Sequence, residues 1–353
     1  MTPSTRLAVS ATLALAVSAC AQERPIPPAP EAGQASTELS AANMLTPTRK
    51  AMPVATYSIV ARDPITGDLG VAVQSHWFSV GALVPWAEAG VGAVATQSFV
   101  DPAYGQLGLA MMAAGHIPSA ALSGLVAADE GRAVRQVAMV SADGAVAAHT
   151  GKNCIEAAGH QTGAGYSVQA NLMENETVWP AMAKAFENTK GDLAARMLAA
   201  LKAAEEQGGD IRGKQSAALL VVSGEPTGRP WEDRLFDLRV EDHPEPLQEL
   251  DRLLTTARAY SLMNDGDLAM EAKDMAGALR AYSRAEAMAP TLYELPFWVG
   301  VTLAAEGRID EALPKLARAY KGEERLRELI PRLAVAGLLP ADEALLAKLA
   351  EAR

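Results

Sequence analysis

Short runs of β-branched and apolar residues, separated by turn residues, fill the middle of the chain. The first two runs, Thr56–Arg62 and Leu69–Ser75, flank a segment with Pro and Gly, and this pattern predicts a β-hairpin. Two further short strands are predicted at Leu83–Trp86 and Val91–Gln97. An Asp-Pro pair follows them and has the form of a helix start, with an N-cap and a first-turn proline. Ordered structure is therefore expected to begin near Val54.

Helical and extended segments then alternate in pairs. Helices are predicted at 102–114 and 118–130, and a second hairpin at Val134–Ser141 and Ala145–His149, around an Asp-Gly turn. The remaining predicted elements are an extended piece at Tyr166–Met173, helices at 176–188 and 192–207, and strands at Ser216–Val222 and Arg234–Val240. Pairs of this kind favour antiparallel sheets with helices packed outside, an α+β layered fold, over alternating βαβ units.

The last part of the chain, residues 247–353, has apolar residues at helical spacing and few β-formers. Small and large residues recur 34 positions apart, at the offsets of a tetratricopeptide repeat: Gly266, Ala278, Tyr282, Ala285 and Pro290, then Gly300, Ala312, Leu316 and Ala319. The segment resembles two such repeats followed by a terminal helix near 341–352. The alternative is an unrelated helical array with a chance period. A repeat of this type implies a protein partner or self-association.

The first residues have the form of a secretory signal. Arg6 precedes an eleven-residue apolar stretch, which is too short to span a bilayer and ends in Val-Ser-Ala-Cys20. Small residues before a cysteine resemble a bacterial lipobox, which implies a signal peptide at 1–19 and a lipid on Cys20. A plain signal peptide is the alternative. The Pro-rich segment 20–53 is predicted to be a disordered tether. We expect a lipid-anchored protein on the periplasmic side of the envelope, with the outer membrane favoured.

Composition narrows the function. The chain has 353 residues and a net charge of −11, without a basic cluster, so nucleic acid is not expected as a partner. Its length predicts roughly two domains, which the patterns place at 54–246 and 247–353. The only cysteines are Cys20 and Cys154, so a lipidated Cys20 leaves Cys154 without an intramolecular partner. The five histidines show no metal-ligand spacing, and we expect no metal or other cofactor.

Several runs in order carry a family resemblance: TYSIVARDPITGDLGVAVQS, VGALVPWAEAGVGAVATQSFVDPAYG, TGKNCIEAAGH, QANLM and GGDIRGKQSAALLVV. Together they resemble the bacterial family known as domain of unknown function 1028 over nearly all of residues 56–246. That family is similar to N-terminal nucleophile (Ntn) hydrolases. The resemblance implies a four-layer αββα sandwich and an amide-bond hydrolase acting on a small molecule or a peptide.

The resemblance points to Thr56 as the nucleophile, since Ntn hydrolases use the first residue of the mature domain and its own α-amine as general base. A free α-amine has a pKa near 8 and accepts a proton at neutral pH. Here that amine lies in a peptide bond with Ala55, so the mechanism requires cleavage before Thr56. Otherwise Thr56 is an ordinary β-branched strand residue.

Other residues could support such a site. Ser75, at the end of the second strand, takes the position of an Asp in the proteasome-like members. Backbone N–H groups at Gln97 and Ser98, or the side chain of Asn171, could stabilise an oxyanion. Each of the three could equally make ordinary strand-end hydrogen bonds.

Two charged residues are candidates for positioning or binding. Proteasome-like members also carry a lysine on the third strand. Glu88 lies near that offset but has the opposite charge, and it could still orient an amine. Arg62 is the cation nearest to Thr56 in the sequence, and it could equally cap the turn at Asp63.

Two further pairs of residues are candidates for the functional site. Cys154 and His160 share a Gly-rich loop and could act as nucleophile and base, or be a core thiol and a surface imidazole. Asp210 and Arg212 could line a cleft as an ion pair, although a structural role in the turn is favoured. The main alternative to an enzyme is a noncatalytic envelope lipoprotein that binds partners through both domains.

Overall fold

The computed structural model describes residues 53–54 and 56–353. The predicted signal peptide, Cys20 and the predicted tether up to residue 52 lie outside the described residues. The described strands are β1 (Pro53–Val54), β2 (Thr56–Arg62), β3 (Leu69–Ser75), β4 (Pro85–Glu88), β5 (Gly92–Phe99), β6 (Arg135–Ser141), β7 (Val146–Thr150), β8 (Gly159–Gly163), β9 (Tyr166–Asn171), β10 (Ser216–Val222) and β11 (Arg234–Val240).

The described α-helices are α1 (Ala103–Ala113), α2 (Pro118–Ala128), α3 (Val178–Asn188), α4 (Leu193–Glu206), α5 (Pro246–Glu271), α6 (Met275–Met288), α7 (Glu294–Ala305), α8 (Ile309–Gly322), α9 (Ile330–Val335) and α10 (Glu343–Ala350). None of the helices in the described part of the chain is both long and apolar enough to cross a membrane.

The strands form two antiparallel sheets. The larger sheet has six strands in the order β11-β10-β3-β2-β9-β8, so β2 lies inside it between β3 and β9. The smaller sheet runs β1-β5-β6-β7, with β4 also paired to β5. The chain therefore moves from one sheet to the other between Val54, which pairs with Ser98 of β5, and Thr56, which pairs with Ser75 of β3.

Strand alternation divides the side chains between a shared core and two outer cores. Val60 and Val71 of the larger sheet belong to one buried cluster with Ala95 and Ala138 of the smaller sheet, so these faces pack against each other. Outward residues of the larger sheet, such as Ile59, pack with α3 and α4. Outward residues of the smaller sheet pack with α1 and α2. Each sheet thus carries a helix pair on its outer face.

The helical C-terminal region has its own buried cluster, and α5 connects it to the sheets. The first turns of α5 place Leu247, Leu250 and Leu254 in the core of the larger sheet. Its later turns place Ala259 and Met263 in the helical cluster. Because one continuous helix contributes to both cores, the two regions are joined by packing as well as by the chain.

The protein is a mixed α and β chain with antiparallel sheets and a helical C-terminal region, as the sequence patterns indicate. β2, β3, β10 and β11 have the predicted bounds. The predicted strand at 83–86 instead forms at Pro85–Glu88. β8 was not predicted, because its sequence GHQTG is polar, glycine-rich and largely exposed at a sheet edge, and it lacks the β-branched alternation that marks a strand.

Candidate functional site

One end of the space between the sheets is lined with polar side chains instead of apolar ones. Thr56 is directly opposite Ser75 on one side and Asn171 on the other. From the facing sheet come Gln97 and Gln136, which pair with each other across β5 and β6. We call these five residues the polar end. All five are 0–1% exposed, so every polar group in this cluster must find a partner within the protein.

Thr56 is held from both sheets. Its Oγ1 donates to Ser75 Oγ at 3.1 Å. Its backbone oxygen accepts from Gln97 Nε2 at 3.2 Å and from Asn171 Nδ2 at 3.3 Å. Two amide groups from different sheets therefore converge on one carbonyl and fix the first residue of β2. These side chains are all neutral, so none of them supplies charge to the Thr56 hydroxyl.

Gln136 connects the other members of the polar end. Its Oε1 accepts from Gln97 Nε2 at 2.7 Å and from Asn171 Nδ2 at 2.9 Å. Its Nε2 donates to Ala170 O at 2.9 Å and to Thr150 Oγ1 at 3.0 Å. This single buried amide thus joins both sheets, although nothing in the sequence pattern pointed to Gln136 as a site residue.

A second polar layer lies two residues further along the same strands, on the same face. Ser58 Oγ donates to Gln97 Oε1 at 2.6 Å and accepts from Gln169 Nε2 at 2.6 Å. Both residues are two positions from a predicted site residue, Ser58 after Thr56 and Gln169 before Asn171. Because side chains two apart on a strand share a face, that spacing was the available signal for this layer.

The predicted oxyanion position at Ser98 has an unusual backbone. Ser98 has φ of 69°, in the left-handed region that a serine rarely adopts. Its pairing partners are Val54 of β1 on one side and Arg135 of β6 on the other. The segment that precedes Thr56 in the chain therefore lies along β5 at this position.

Buried Arg135 supports the turn that follows Ser98. Its guanidinium donates to Phe99 O at 2.5 Å and to Asp129 Oδ2 at 2.7 Å. Burial pushes the pKa of Asp129 upward, but hydrogen bonds from Arg135 and from the Gly131 N–H outweigh it and hold that pKa below its usual value. The ionised carboxylate of Asp129 thus compensates the charge of the buried Arg135 guanidinium beside the candidate site.

Cys154 and His160 do not form a nucleophile–base pair. The Cys154 thiol donates to Arg135 O at 3.4 Å, whereas His160 Nδ1 bonds the Thr150 hydroxyl at 2.8 Å. Burial raises the pKa of Cys154, which disfavours the reactive thiolate. Burial and the nearby His149 lower the pKa of His160. Both residues line a surface cleft of about 480 Å³.

A second cleft adjoins the first and follows the polar end along the chain. It measures about 470 Å³ and is lined by Leu172 and Met173, which directly follow Asn171. The two clefts share Glu156 and Glu176 in their walls. A molecule bound there would lie close to the C-terminal end of β9 and thus close to Asn171.

Asp210 and Arg212 form an ion pair that braces strand ends. Arg212 Nη2 donates to Asp210 Oδ2 at 2.8 Å, and the same carboxylate accepts from the His76 N–H at 3.1 Å. The backbones of Asp210 and Met173 also form an isolated antiparallel β-bridge. His76 follows Ser75 and Met173 lies two residues after Asn171, so the pair fixes the segments that follow two residues of the polar end. This geometry agrees with the favoured structural role.

Arg62 and Glu88 lie at the far end of the sheets. Arg62 is at the opposite end of the seven-residue strand β2 from Thr56, roughly 20 Å away at the rise of a β-strand. Glu88 faces Gly92 at the start of β5, whereas Gln97 lies near its end. The structure therefore does not bring either residue to the polar end.

No three His, Cys, Asp or Glu side chains within residues 56–353 are arranged to hold a metal ion. The chemistry available at the polar end is that of hydroxyls and amides. Such groups can position an amide substrate and donate hydrogen bonds to a developing negative charge.

Comparison with known proteins gives a family but no activity. The model of a family of unknown function (DUF1028) matches residues 56–250. The chain is also similar to a crystal structure of a protein from Silicibacter pomeroyi assigned to that family, with 32% identity and a TM-score of 0.52. That similarity covers 57% of this chain and 89% of the other. No curated protein matches the chain. The family match begins at Thr56 and ends within α5.

Proposed function

Because this chain belongs to the family of unknown function DUF1028, we propose its function from the polar end itself: an amide-bond hydrolase of the Ntn type. In this proposal Thr56 is the nucleophile, and it becomes active once the bond between Ala55 and Thr56 is cleaved. The substrate class is a small-molecule or peptide amide.

The observation that carries the proposal is the position of Thr56. It is the first residue of an interior strand, its hydroxyl faces the space between two sheets, and amides from both sheets hold its carbonyl. A buried carbonyl needs a hydrogen-bond donor in any role. A nucleophile gains in addition from being held by two sheets, because the rate depends steeply on the placement of the attacking atom.

The proposed reaction uses few groups. The Thr56 hydroxyl oxygen attacks the substrate carbonyl while the freed α-amine accepts the hydroxyl proton. The amine then passes that proton to the leaving nitrogen, which leaves an ester on Thr56 that water hydrolyses. Ser75 orients the hydroxyl, and Gln97 and Asn171 position the backbone of Thr56. Backbone N–H groups at Gln97 and Ser98 are the proposed oxyanion donors.

The segment before Thr56 supports a processing step. β1 pairs with β5 at Phe99 and Ser98, next to the proposed oxyanion donors. Removal of this segment would free the α-amine and also uncover that part of β5. One cleavage would thus supply the base and open the site.

The finer features of the fold belong to the same proposal. A helix pair on the outer face of each of two packed sheets supports the four-layer αββα sandwich of Ntn hydrolases. In the helical region, Gly266 packs against Tyr282 and Gly300 packs against Leu316. These two contacts are 34 residues apart and support a repeat of tetratricopeptide type, which would offer a surface for a protein partner.

The envelope location is proposed on sequence alone. The signal-like N-terminus and Cys20 would anchor the chain by a lipid on the periplasmic side of a membrane. Cleavage before Thr56 would cut the covalent link to that anchor, so an active domain would be released or held by noncovalent contacts such as those of β1.

A second function, a noncatalytic binding platform, is favoured by one observation. Thr56 is 0% exposed, and its amine is part of the peptide bond to Ala55. In a chain that is never cleaved, this residue can neither act as a base nor reach a substrate. The two functions therefore differ in whether Thr56 becomes chemically reactive.

Covalent trapping tests that difference. The protein is purified from its native host, where any processing has taken place, and is incubated with a β-lactone, a strained ester that acylates reactive hydroxyls. The labelled peptide is then identified by mass spectrometry. The enzyme proposal predicts stoichiometric labelling on Thr56, retention in Thr56→Ser and loss in Thr56→Ala. Thr162→Ala, on exposed strand β8, is the matched control and should label as the parent does. Labelling that persists in Thr56→Ala, or no labelling of the parent at Thr56, would favour the binding platform.

A further inference from the structure

The larger sheet ends at an open strand. β11 pairs with β10 on one side, and no other strand of the described chain pairs with its second side. It spans seven residues, Arg234–Val240. An open strand of this length presents unpaired N–H and C=O groups that another strand can bond.

The two faces of β11 differ in composition. Phe236 and Leu238 point to the helix side and pack against the core of the larger sheet. Asp237 and Arg239, on the opposite face, carry opposite charges and bond each other at 3.0 Å. Leu235 lies where the pairing of β11 with β10 becomes irregular, and it is 45% exposed. The open strand thus offers one apolar side, one charged side and an exposed leucine.

Among the axes that would pair at least five residues of β11 with its partner, charge favours a single one. In a twofold antiparallel pairing that keeps each sheet face continuous, the axis passes through one residue. An axis through Asp237 would oppose two aspartates, and an axis through Arg239 would oppose two arginines. An axis through Leu238 opposes Asp237 to the partner's Arg239, twice. Opposite charges stabilise cross-strand pairs and like charges destabilise them.

Two exposed apolar side chains lie near the ends of β11. Leu235 is 45% exposed and Phe78 is 63% exposed. The Ser79 N–H, next to Phe78 in the chain, donates to Glu241 O at 3.0 Å, so this segment lies at the end of β11. Removal of either side chain from water on association would favour the dimer.

We propose that the chain forms a homodimer by antiparallel pairing of β11 with β11 of a second copy, about a twofold axis at Leu238. The paired strands extend the larger sheet across both copies. The pairing is independent of the proposed hydrolase activity, because Thr56 lies on β2, three strands away from β11.

Charge reversal tests the register. The full chain carrying Cys20→Ser, which prevents acylation, is measured by analytical ultracentrifugation over a series of micromolar concentrations. Asp237→Arg opposes like charges at two places and is expected to weaken dimerisation roughly tenfold or more. The double variant Asp237→Arg/Arg239→Asp restores the opposite pairs and should return to near the parent affinity. Glu232→Arg makes the same charge change outside the strand and should have no effect.

A single cysteine tests the axis independently. Residues that face each other on a twofold axis are identical, so Leu238→Cys should form a disulfide between copies under mild oxidation. Asp237→Cys, one position away, faces an arginine and should crosslink far less. A parent that stays monomeric at hundreds of micromolar would overturn the proposal. A dimer that is insensitive to Asp237→Arg and not trapped by Leu238→Cys would overturn it equally.

Discussion

Arg135 and Asp129 show how strongly one buried pair can constrain the candidate site. Each is 1% exposed, and the arginine holds the carbonyl of Phe99, next to Ser98. Removing one member of a buried ion pair leaves the other charge without compensation, which typically costs about 3–5 kcal/mol. Arg135→Met should therefore lower the free energy of unfolding by about that amount, measured by urea denaturation at pH 7. Adding Asp129→Asn removes the stranded charge and should recover part of the loss; a single variant as stable as the parent would contradict this account.

The same pair predicts a pH dependence. The pKa of Asp129 is below its usual value in the folded protein, so its ionised form contributes stability above the unfolded pKa near 4. That contribution is lost as pH falls through the folded pKa. In Arg135→Met the carboxylate loses its partner, and burial should raise its pKa. The stability difference between parent and variant should thus shrink between pH 7 and pH 4; a difference that grows on acidification would refute the assignment.

Cys154 should behave as an inert thiol. Burial raises its pKa, so the thiolate fraction at neutral pH falls below that of a free cysteine. Alkylation by iodoacetamide at pH 7.5 should be at least roughly tenfold slower than for an unfolded control peptide. Cys154→Ser should leave the β-lactone labelling of Thr56 unchanged. Loss of that labelling on alkylation, or in the serine variant, would return Cys154 to the list of functional residues.

At the residue scale, the strand ends were predictable and the cross-sheet partners were not. Thr56, Ser75 and Asn171 meet because strand alternation places each at the end of a predicted strand on the same face. Gln136 lies far from them in the chain, and only the packing of two sheets brings it to Asn171. Arg62 is close to Thr56 in the sequence but not in the fold, because the two residues lie at opposite ends of β2.

At the scale of elements, the contact between α5 and α6 depends on a residue without a side chain. A Cβ on Gly266 would overlap the ring of Tyr282, whose hydroxyl is fixed to Asp267 at 2.7 Å. Alanine is about 1 kcal/mol better than glycine inside a helix, but the forced displacement of a packed ring costs about 1–3 kcal/mol. Gly266→Ala should therefore destabilise the protein, as measured by thermal unfolding.

Gly124 of α2 is the matched control for that substitution. It is exposed, and a Cβ there would meet only Met111 at 3.7 Å, an ordinary contact distance. Gly124→Ala should therefore gain up to about 1 kcal/mol from helix propensity. Equal effects of the two substitutions would show that the close approach at Gly266 does not contribute to the stability of the protein.

Most strands and helices were predictable from local sequence patterns, because the period of their apolar residues matches the faces that are buried in the fold. β2, β3 and β10 are apolar runs between turn signals, and all three are buried along almost their whole length. β8 was not predictable from its own residue preferences, because it forms through its pairing with β9. The close contact between Gly266 and Tyr282 joins two of the residues that the 34-residue pattern singles out.

At the scale of the whole molecule, α5 couples the sheets to the helical region. Leu250 is buried with the larger sheet and Ala259 with the helical cluster. Because one helix contributes to both cores, a substitution that destabilises one region should also lower the stability of the other. Residues 53–54, which precede Thr56, contact the smaller sheet through the short pairing of β1 with β5. Cleavage before Thr56 would break the covalent link between β1 and β2.

The measurement that tests the central proposal most directly is the mass and N-terminal sequence of the protein purified from its native host. We expect a chain that begins at Thr56, together with a separate leader that ends at Ala55, and loss of amide hydrolysis in Thr56→Ala. An intact chain that continues through Ala55 into Thr56 and still hydrolyses an amide, or hydrolysis unaffected by Thr56→Ala, would contradict it.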